Sequence, residues 1–191
     1  RARPRPLGGR PGWPRPHWAP VLRGPAERDA PALGNLAISI QLATLTTVGT
    51  FHALGVQTTY VSSQGDFTAA STLPTASTTT SWFFLSGVTV ATRRPPAAIV
   101  ALGDSITDGY ASTVDATRRW PNLLAARLQA TPRFRQVAVM DQGISGNRTL
   151  HDLIGPNALA RFDRDVLVAP GAKWVVLLEG INNIGIPGTF G

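Results

Sequence analysis

Three short apolar runs in the second half of the chain, each followed by glycine and polar residues, restrict its fold more than any other feature. They cover residues 97–102, 136–140 and 173–178. Residues 120–128 lie between the first two runs and place apolar side chains at helical spacing, with Pro121 in the first turn. Residues 157–168 predict a second helix, although two aspartates interrupt its apolar face. Strands that alternate with helices predict an α/β unit with a flavodoxin-like parallel sheet.

The polar blocks after these runs contain three candidate site residues, Ser105, Gly146 and Asn182. The carboxyl ends of parallel strands meet at one edge of the sheet, which is where open α/β sheets bind ligands. A serine at that edge can act as a nucleophile. Each residue also has a simpler structural interpretation, because Ser105 could cap a helix, Gly146 could form a turn and Asn182 could close a loop. Only their predicted position at one edge favours a shared function.

The three blocks together resemble those of the GDSL, or SGNH, hydrolase family. Gly-Asp-Ser with Gly109 four residues later is similar to the first block, residues 142–147 to the second, and residues 179–183 to the third. The resemblance implies a serine ester hydrolase that needs no metal or organic cofactor. Ser105 would be the nucleophile, and its N–H, the Gly146 N–H and the Asn182 amide would hold the oxyanion.

Two departures from the family pattern bear on activity. Asn183 stands where the family usually has aspartate, so the hydrogen bonding of this loop should differ. The family takes its catalytic base and the partner of that base from a late D-x-x-H block, and none of the three histidines, His17, His52 and His151, has aspartate three positions earlier. We therefore expect an incomplete α/β domain with impaired activity. His151 is an alternative base, although a solvated loop histidine is the simpler interpretation.

The first half of the chain predicts β-structure. Residues 36–42 alternate apolar and polar side chains, as a half-buried strand does. Residues 51–61 and 82–91 are also strand-like, and a serine- and threonine-rich run at 69–81 separates them. This half resembles the β-sandwich segment that precedes the GDSL block in a subset of bacterial family members.

The chain of 191 residues suits one or two domains. We expect a partial β-sandwich accessory domain over residues 33–94 and an incomplete SGNH-type α/β domain over residues 95–191. Residues 1–32 are expected to form a disordered basic tail. The first 30 residues hold seven arginines and seven prolines against two acidic residues, which gives +5 of the total charge of +7. Out-of-frame reading of GC-rich DNA is an alternative origin for that composition.

Composition limits the classes of partner and compartment. A basic arm could bind nucleic acid, but no aromatic-interleaved platform accompanies it, so no nucleic-acid partner is expected. The absence of cysteine excludes disulfides and thiolate metal sites. No stretch has the length of a membrane span, and the start lacks the apolar core of a signal peptide, although relatives of this type are often exported.

The expected partner is a small-molecule or glycan ester substrate. The alternative function is a non-catalytic carbohydrate-binding or interaction module with a vestigial catalytic edge. Trp82, Phe83 and Phe84 would suit sugar stacking, although consecutive aromatics in a strand-rich region are more often core residues. An open sheet edge also predicts self-association.

Overall fold

The computed structural model describes residues 31–92, 95 and 97–185. The basic tail expected over residues 1–32 lies almost wholly outside these residues. The amino-terminal part contains four short strands in two antiparallel pairs: β1 (Phe51–His52) with β4 (Trp82–Phe83), and β2 (Thr59–Ser62) with β3 (Thr75–Thr79). These antiparallel strands fit the sandwich-like segment that the sequence predicted.

Three predictions within this segment are wrong. Of the strand predicted over residues 82–91, only Trp82–Phe83 is present, and residues 84–91 form no strand. Residues 36–42 are exposed, have irregular backbone and form no strand. Alternation produces a strand only where a neighbour completes the hydrogen-bond ladder, and no described residue pairs with this stretch. The run at 69–81 is not merely a spacer, because β3 lies within it. Threonine has high β-propensity, and the threonines of β3 pair with β2. The polar composition of the run did not indicate this strand.

The predicted parallel sheet is confirmed. It consists of β5 (Ala97–Gly103), β6 (Val137–Gly143) and β7 (Ala172–Leu178), in the order β6-β5-β7. The first strand lies between the second and the third, which is the start of the flavodoxin-like order.

The two predicted crossover helices are also present. Helix α2 (Trp120–Ala130) begins with proline in its first turn and packs on β6. Helix α3 (Ala158–Phe162) continues directly into a π-helical turn (Asp163–Leu167) before β7. Two short helices, α1 (Ser105–Asp108) and α4 (Ile181–Gly185), follow the ends of β5 and β7.

The core lies on one face of the parallel sheet. Val100 and Leu102 of β5 pack against Val166 of the π-helical turn, with Met140 and Phe162 around them. β5 is the central strand and five of its seven residues are buried, which is typical of a parallel strand covered by neighbours. In the part of the chain with described structure, no helix is long and apolar enough to cross a membrane.

The antiparallel segment is attached to the α/β unit by polar contacts. The Asp115 carboxylate accepts hydrogen bonds from the backbone N–H and the hydroxyl of Thr58, at 2.7 and 2.6 Å. These bonds lower the pKa of Asp115. Arg119 immediately precedes α2, and its guanidinium donates to the carbonyl oxygens of Leu54 and Gly55. Both halves of the chain therefore contribute to the surroundings of the candidate site.

The outer edge of β7 is open among the described residues, and its apolar side chains are exposed. Exposed apolar edge strands promote association between chains. We expect concentration-dependent dimers or larger species by size-exclusion chromatography with light scattering. Leu177→Lys, at a side chain that is 62% exposed, should shift the population toward monomer because a charge on an edge strand opposes pairing.

The control is Leu45→Lys, since Leu45 is fully exposed in an irregular stretch and belongs to no sheet. This change should leave the distribution as it is. A wild-type chain that elutes as a sharp monomer at high concentration would contradict the expectation.

Candidate functional site

The three blocks follow strands that end at the same edge of the sheet. Gly103 at the end of β5 lies opposite Gly143 of β6 and Leu178 of β7. Beyond this register the backbone continues to pair, because the N–H of Ile144 donates to Gly103 O at 2.9 Å and the N–H of Asp104 donates to Leu178 O at 3.3 Å. Ser105, Gly146 and Asn182 therefore all lie just past the carboxyl ends of adjacent strands.

Ser105 is the first residue of α1, and Asp104 is the residue that caps this helix. An oxygen of the Asp104 carboxylate accepts a hydrogen bond from the backbone N–H of Ile106 at 2.9 Å. Ser105 is half-buried, and its hydroxyl has no hydrogen-bond partner among the described residues. The capping interpretation of Ser105 is thus wrong, since its neighbour already satisfies the helix end.

Gly146 occupies a position that few other residues could fill. Its φ of +75° lies in the left-handed region that favours glycine. A Cβ at this position would also lie 2.8 Å from Cδ1 of Ile154, which is closer than real contacts allow. The turn interpretation of Gly146 therefore holds, and it is compatible with a role for its N–H at the same place.

The side chains of Asn182 and Asn183 join the third block to the second. The Asn182 amide donates to the carbonyl oxygen of Asn147 at 2.8 Å, which uses one of its two N–H groups. The Asn183 side-chain oxygen accepts from the backbone N–H and the hydroxyl of Thr149, at 3.0 and 3.1 Å. An asparagine at this position can therefore still act as the acceptor that positions the loop.

Asp108 is a buried carboxylate that sequence reasoning did not identify. Its side chain is 2% exposed and it ends α1, three residues after Ser105. One oxygen accepts from the backbone N–H and the hydroxyl of Ser145, at 3.0 and 2.6 Å. The other oxygen lies 2.5 Å from Nε2 of His52, a residue of β1. Asp108 thus links the first block, the second block and the antiparallel segment.

Arg161 of α3 is a second residue that the sequence did not reveal. It is 1% exposed, and its guanidinium contacts the ends of all three parallel strands. It donates to the carbonyl oxygens of Gly103 in β5 and Gln142 in β6, and it lies 3.6 Å from the Glu179 carboxylate just after β7. It also donates twice to the side-chain oxygen of Asn147, at 3.0 and 2.8 Å. One buried cation therefore holds the edge together.

The two carboxylates around Arg161 respond differently to their surroundings. Burial raises the pKa of Glu179, and the nearby Asp104 carboxylate raises it further, while Arg161 acts in the opposite direction. Burial also acts to raise the pKa of Asp165, but hydrogen bonds from Arg164 and Arg161 outweigh it, so this pKa is lowered. Asp165 lies four residues after Arg161, in the π-helical turn that continues α3, and its carboxylate is 3.2 Å from the Arg161 guanidinium.

The remaining candidate, His151, is exposed, and its side chain makes no hydrogen bond within the described part of the chain. Among residues 31–92, 95 and 97–185, no three histidine, aspartate or glutamate side chains are grouped closely enough to hold a metal ion.

The second half of the chain is similar to a known protein family. Residues 101–190 match the GDSL-like Lipase/Acylhydrolase family. This chain is 21% identical in sequence to AlinE4, an SGNH-hydrolase family esterase with a crystal structure. The two structures match with a TM-score of 0.40 over 50% of this chain and 46% of AlinE4. A mutant of the same esterase gives the same values. The chain thus spans less than half the length of AlinE4, and no curated protein matches it.

Proposed function

We propose that this chain, whose residues 101–190 match the GDSL-like lipase/acylhydrolase family, is a serine ester hydrolase with Ser105 as nucleophile. The observation that carries the proposal is the position of Ser105. It begins α1 directly after the central strand, and Asp104 takes over the capping role that would otherwise occupy a serine there. Its hydroxyl remains without a partner among the described residues and is available for chemistry.

The proposed reaction has two steps. In the first, the Ser105 oxygen bonds to the acyl carbon, the serine proton leaves with the alcohol, and the ester C–O bond breaks. In the second, water attacks the acyl-serine ester, and its proton returns to the Ser105 oxygen as the acid is released. The N–H groups of Ser105 and Gly146 and the free N–H of the Asn182 amide would stabilise the oxyanion in both steps.

We expect this chain to hydrolyse short-chain aryl esters slowly, because no described residue acts as a base on the Ser105 hydroxyl. His52 is engaged with Asp108, and His151 is exposed. A serine site without its base retains roughly 10³–10⁴-fold catalysis over water, from the oxyanion hole and binding. The test is release of p-nitrophenol from its acetate, together with covalent labelling of Ser105 by a fluorophosphonate.

Ser105→Ala is the matched variant and should abolish labelling. Ordinary esterase turnover that Ser105→Ala removes would show that another residue serves as base, and His151→Ala would then identify or exclude His151. Hydrolysis and labelling that persist in Ser105→Ala would overturn the proposal.

A cavity beside α2 has a lining that suits a sugar ring, and none of Ser105, Gly146 and Asn182 belongs to that lining. The cavity has a volume of about 150 Å³. Trp82 lines it together with polar side chains that include Gln57, Arg118 and Asn122. An aromatic face beside hydrogen-bonding groups suits a sugar ring.

The same cavity supports the alternative function, a carbohydrate-binding module without catalysis. The two functions differ in the response to Trp82→Ala and Ser105→Ala. A binding module should lose sugar affinity in Trp82→Ala and show no Ser105-dependent hydrolysis, as measured by calorimetry and by acetate release from acetylated oligosaccharides. A hydrolase should lose acetate release in Ser105→Ala while it still binds the sugar.

A further inference from the structure

We propose that His52, from the antiparallel segment, is a positioning residue for the Ser145–Gly146 turn and acts on it through Asp108. The inference deepens the proposed hydrolase function and rests on it, because this turn carries the Gly146 N–H assigned to the oxyanion. It assigns a role at the site to a part of the chain outside the residues that match the family.

The contact between His52 and Asp108 is direct and mostly enclosed. Nε2 of the imidazole lies 2.5 Å from one oxygen of a carboxylate that is almost completely buried. A buried carboxylate is costly unless it is paired and hydrogen-bonded. Nε2 of His52 is the only hydrogen-bonding contact of this Asp108 oxygen among the described residues. Without it, that oxygen would have no donor.

The second oxygen of Asp108 fixes the turn. It accepts from both the backbone N–H and the hydroxyl of Ser145, so the residue immediately before Gly146 is held by two bonds. The orientation of the Gly146 N–H depends on the peptide plane that joins these two residues. If the carboxylate moved, this peptide plane would no longer be held, and the Gly146 N–H would no longer point at the oxyanion.

The imidazole itself is held in place by its surroundings. The Trp82 ring packs edge-on against His52, with centroids 5.7 Å apart, and the two residues are paired across β1 and β4. Shortly after His52, the chain is anchored by the Arg119 hydrogen bonds to Leu54 and Gly55. These contacts of the antiparallel segment thus hold the His52 ring next to Asp108.

The test measures hydrogen exchange of the Ser145 and Gly146 amides by NMR, together with kcat and KM for the aryl ester. In His52→Ala, exchange of the Ser145 amide should be at least about tenfold faster, the scale of one lost charge-assisted hydrogen bond. His52→Gln can still donate to Asp108 from its amide nitrogen and should return exchange to within about twofold of wild type. Any Ser105-dependent hydrolysis should fall in kcat and not rise in KM.

Thr58→Ala is the matched control, since it loosens another contact of the same segment without touching Asp108. It should leave exchange at Ser145 unchanged. Unchanged exchange in folded His52→Ala, or equal acceleration in Thr58→Ala, would overturn the inference. If His52→Ala does not fold, His52→Phe, which keeps a ring but cannot donate to Asp108, takes its place and should show the same faster exchange of the Ser145 amide.

The exchange measurement also separates this inference from the proposed function. A wild-type chain without Ser105-dependent hydrolysis, but with exchange that depends on His52, would remove the hydrolase proposal and keep the positioning role. Ser105-dependent hydrolysis that is the same in His52→Ala as in wild type, together with unchanged exchange, would remove the positioning role and keep the hydrolase proposal.

Discussion

Arg161→Met is expected to lower the free energy of unfolding by about 3–5 kcal/mol, the cost of breaking a buried ion pair by removing one partner. The buried guanidinium contacts the ends of three strands and the side chain of Asn147. Methionine fills much of the volume but leaves Asp165 and Glu179 without their buried cation, and the Gly103 and Gln142 carbonyls without these donors. Urea unfolding monitored by tryptophan fluorescence measures the change.

Arg164→Met is the matched control for this substitution. Arg164 also pairs with Asp165, but its side chain is 61% exposed, so its ion pair is screened by solvent. We expect a loss of no more than about 1 kcal/mol, the upper end for exposed pairs. Equal losses in the two variants would show that Arg161 acts only as a partner of Asp165 and does not hold the sheet edge.

The sequence predicted the α/β unit well because its signals are local. Each apolar run is long enough to be a buried strand, and Pro121 marks the start of the helix between the first two. The antiparallel half was predicted less well because its signals depend on pairing. Residues 36–42 alternate like a strand but have no partner among the described residues, whereas the polar run at 69–81 becomes a strand because β2 lies beside it.

The candidate site shows the same division. Ser105, Gly146 and Asn182 stand in short blocks after strands, so their shared edge could be predicted from sequence. Asp108 and Arg161 could not, because their roles depend on contacts with residues far along the chain. Asp108 stands in the first block, but its partners are 37 and 56 residues away. One sign of Arg161 was present in the sequence. Arg161 is the only charged residue of Ala158–Phe162, and an acidic residue, Asp165, follows it four positions later.

Gly143→Ala is expected to damage the site strongly, because the backbone of α1 packs directly against β6 at this glycine. A Cβ there would lie 2.1 Å from the backbone nitrogen of Asp108 and 2.5 Å from its Cα. These are backbone atoms, so no rotamer change relieves the clash, and α1 must move away from the sheet. We expect a loss of about 1–3 kcal/mol in the free energy of unfolding, as for other overpacked positions.

The functional loss should exceed the loss of stability. Displacement of α1 separates Asp108 from Ser145 and moves Ser105 away from the Gly146 turn. Any Ser105-dependent hydrolysis should then approach the roughly 10²–10³-fold loss in kcat that removal of one oxyanion donor causes. Gly155→Ala is the control, because its Cβ would meet only Ile144, at an ordinary 3.4 Å. A Gly143→Ala chain with wild-type stability and wild-type Ser105 labelling would mean that α1 and β6 do not approach so closely. The link from Ser105 through Asp108 to the oxyanion turn would then lose its structural basis.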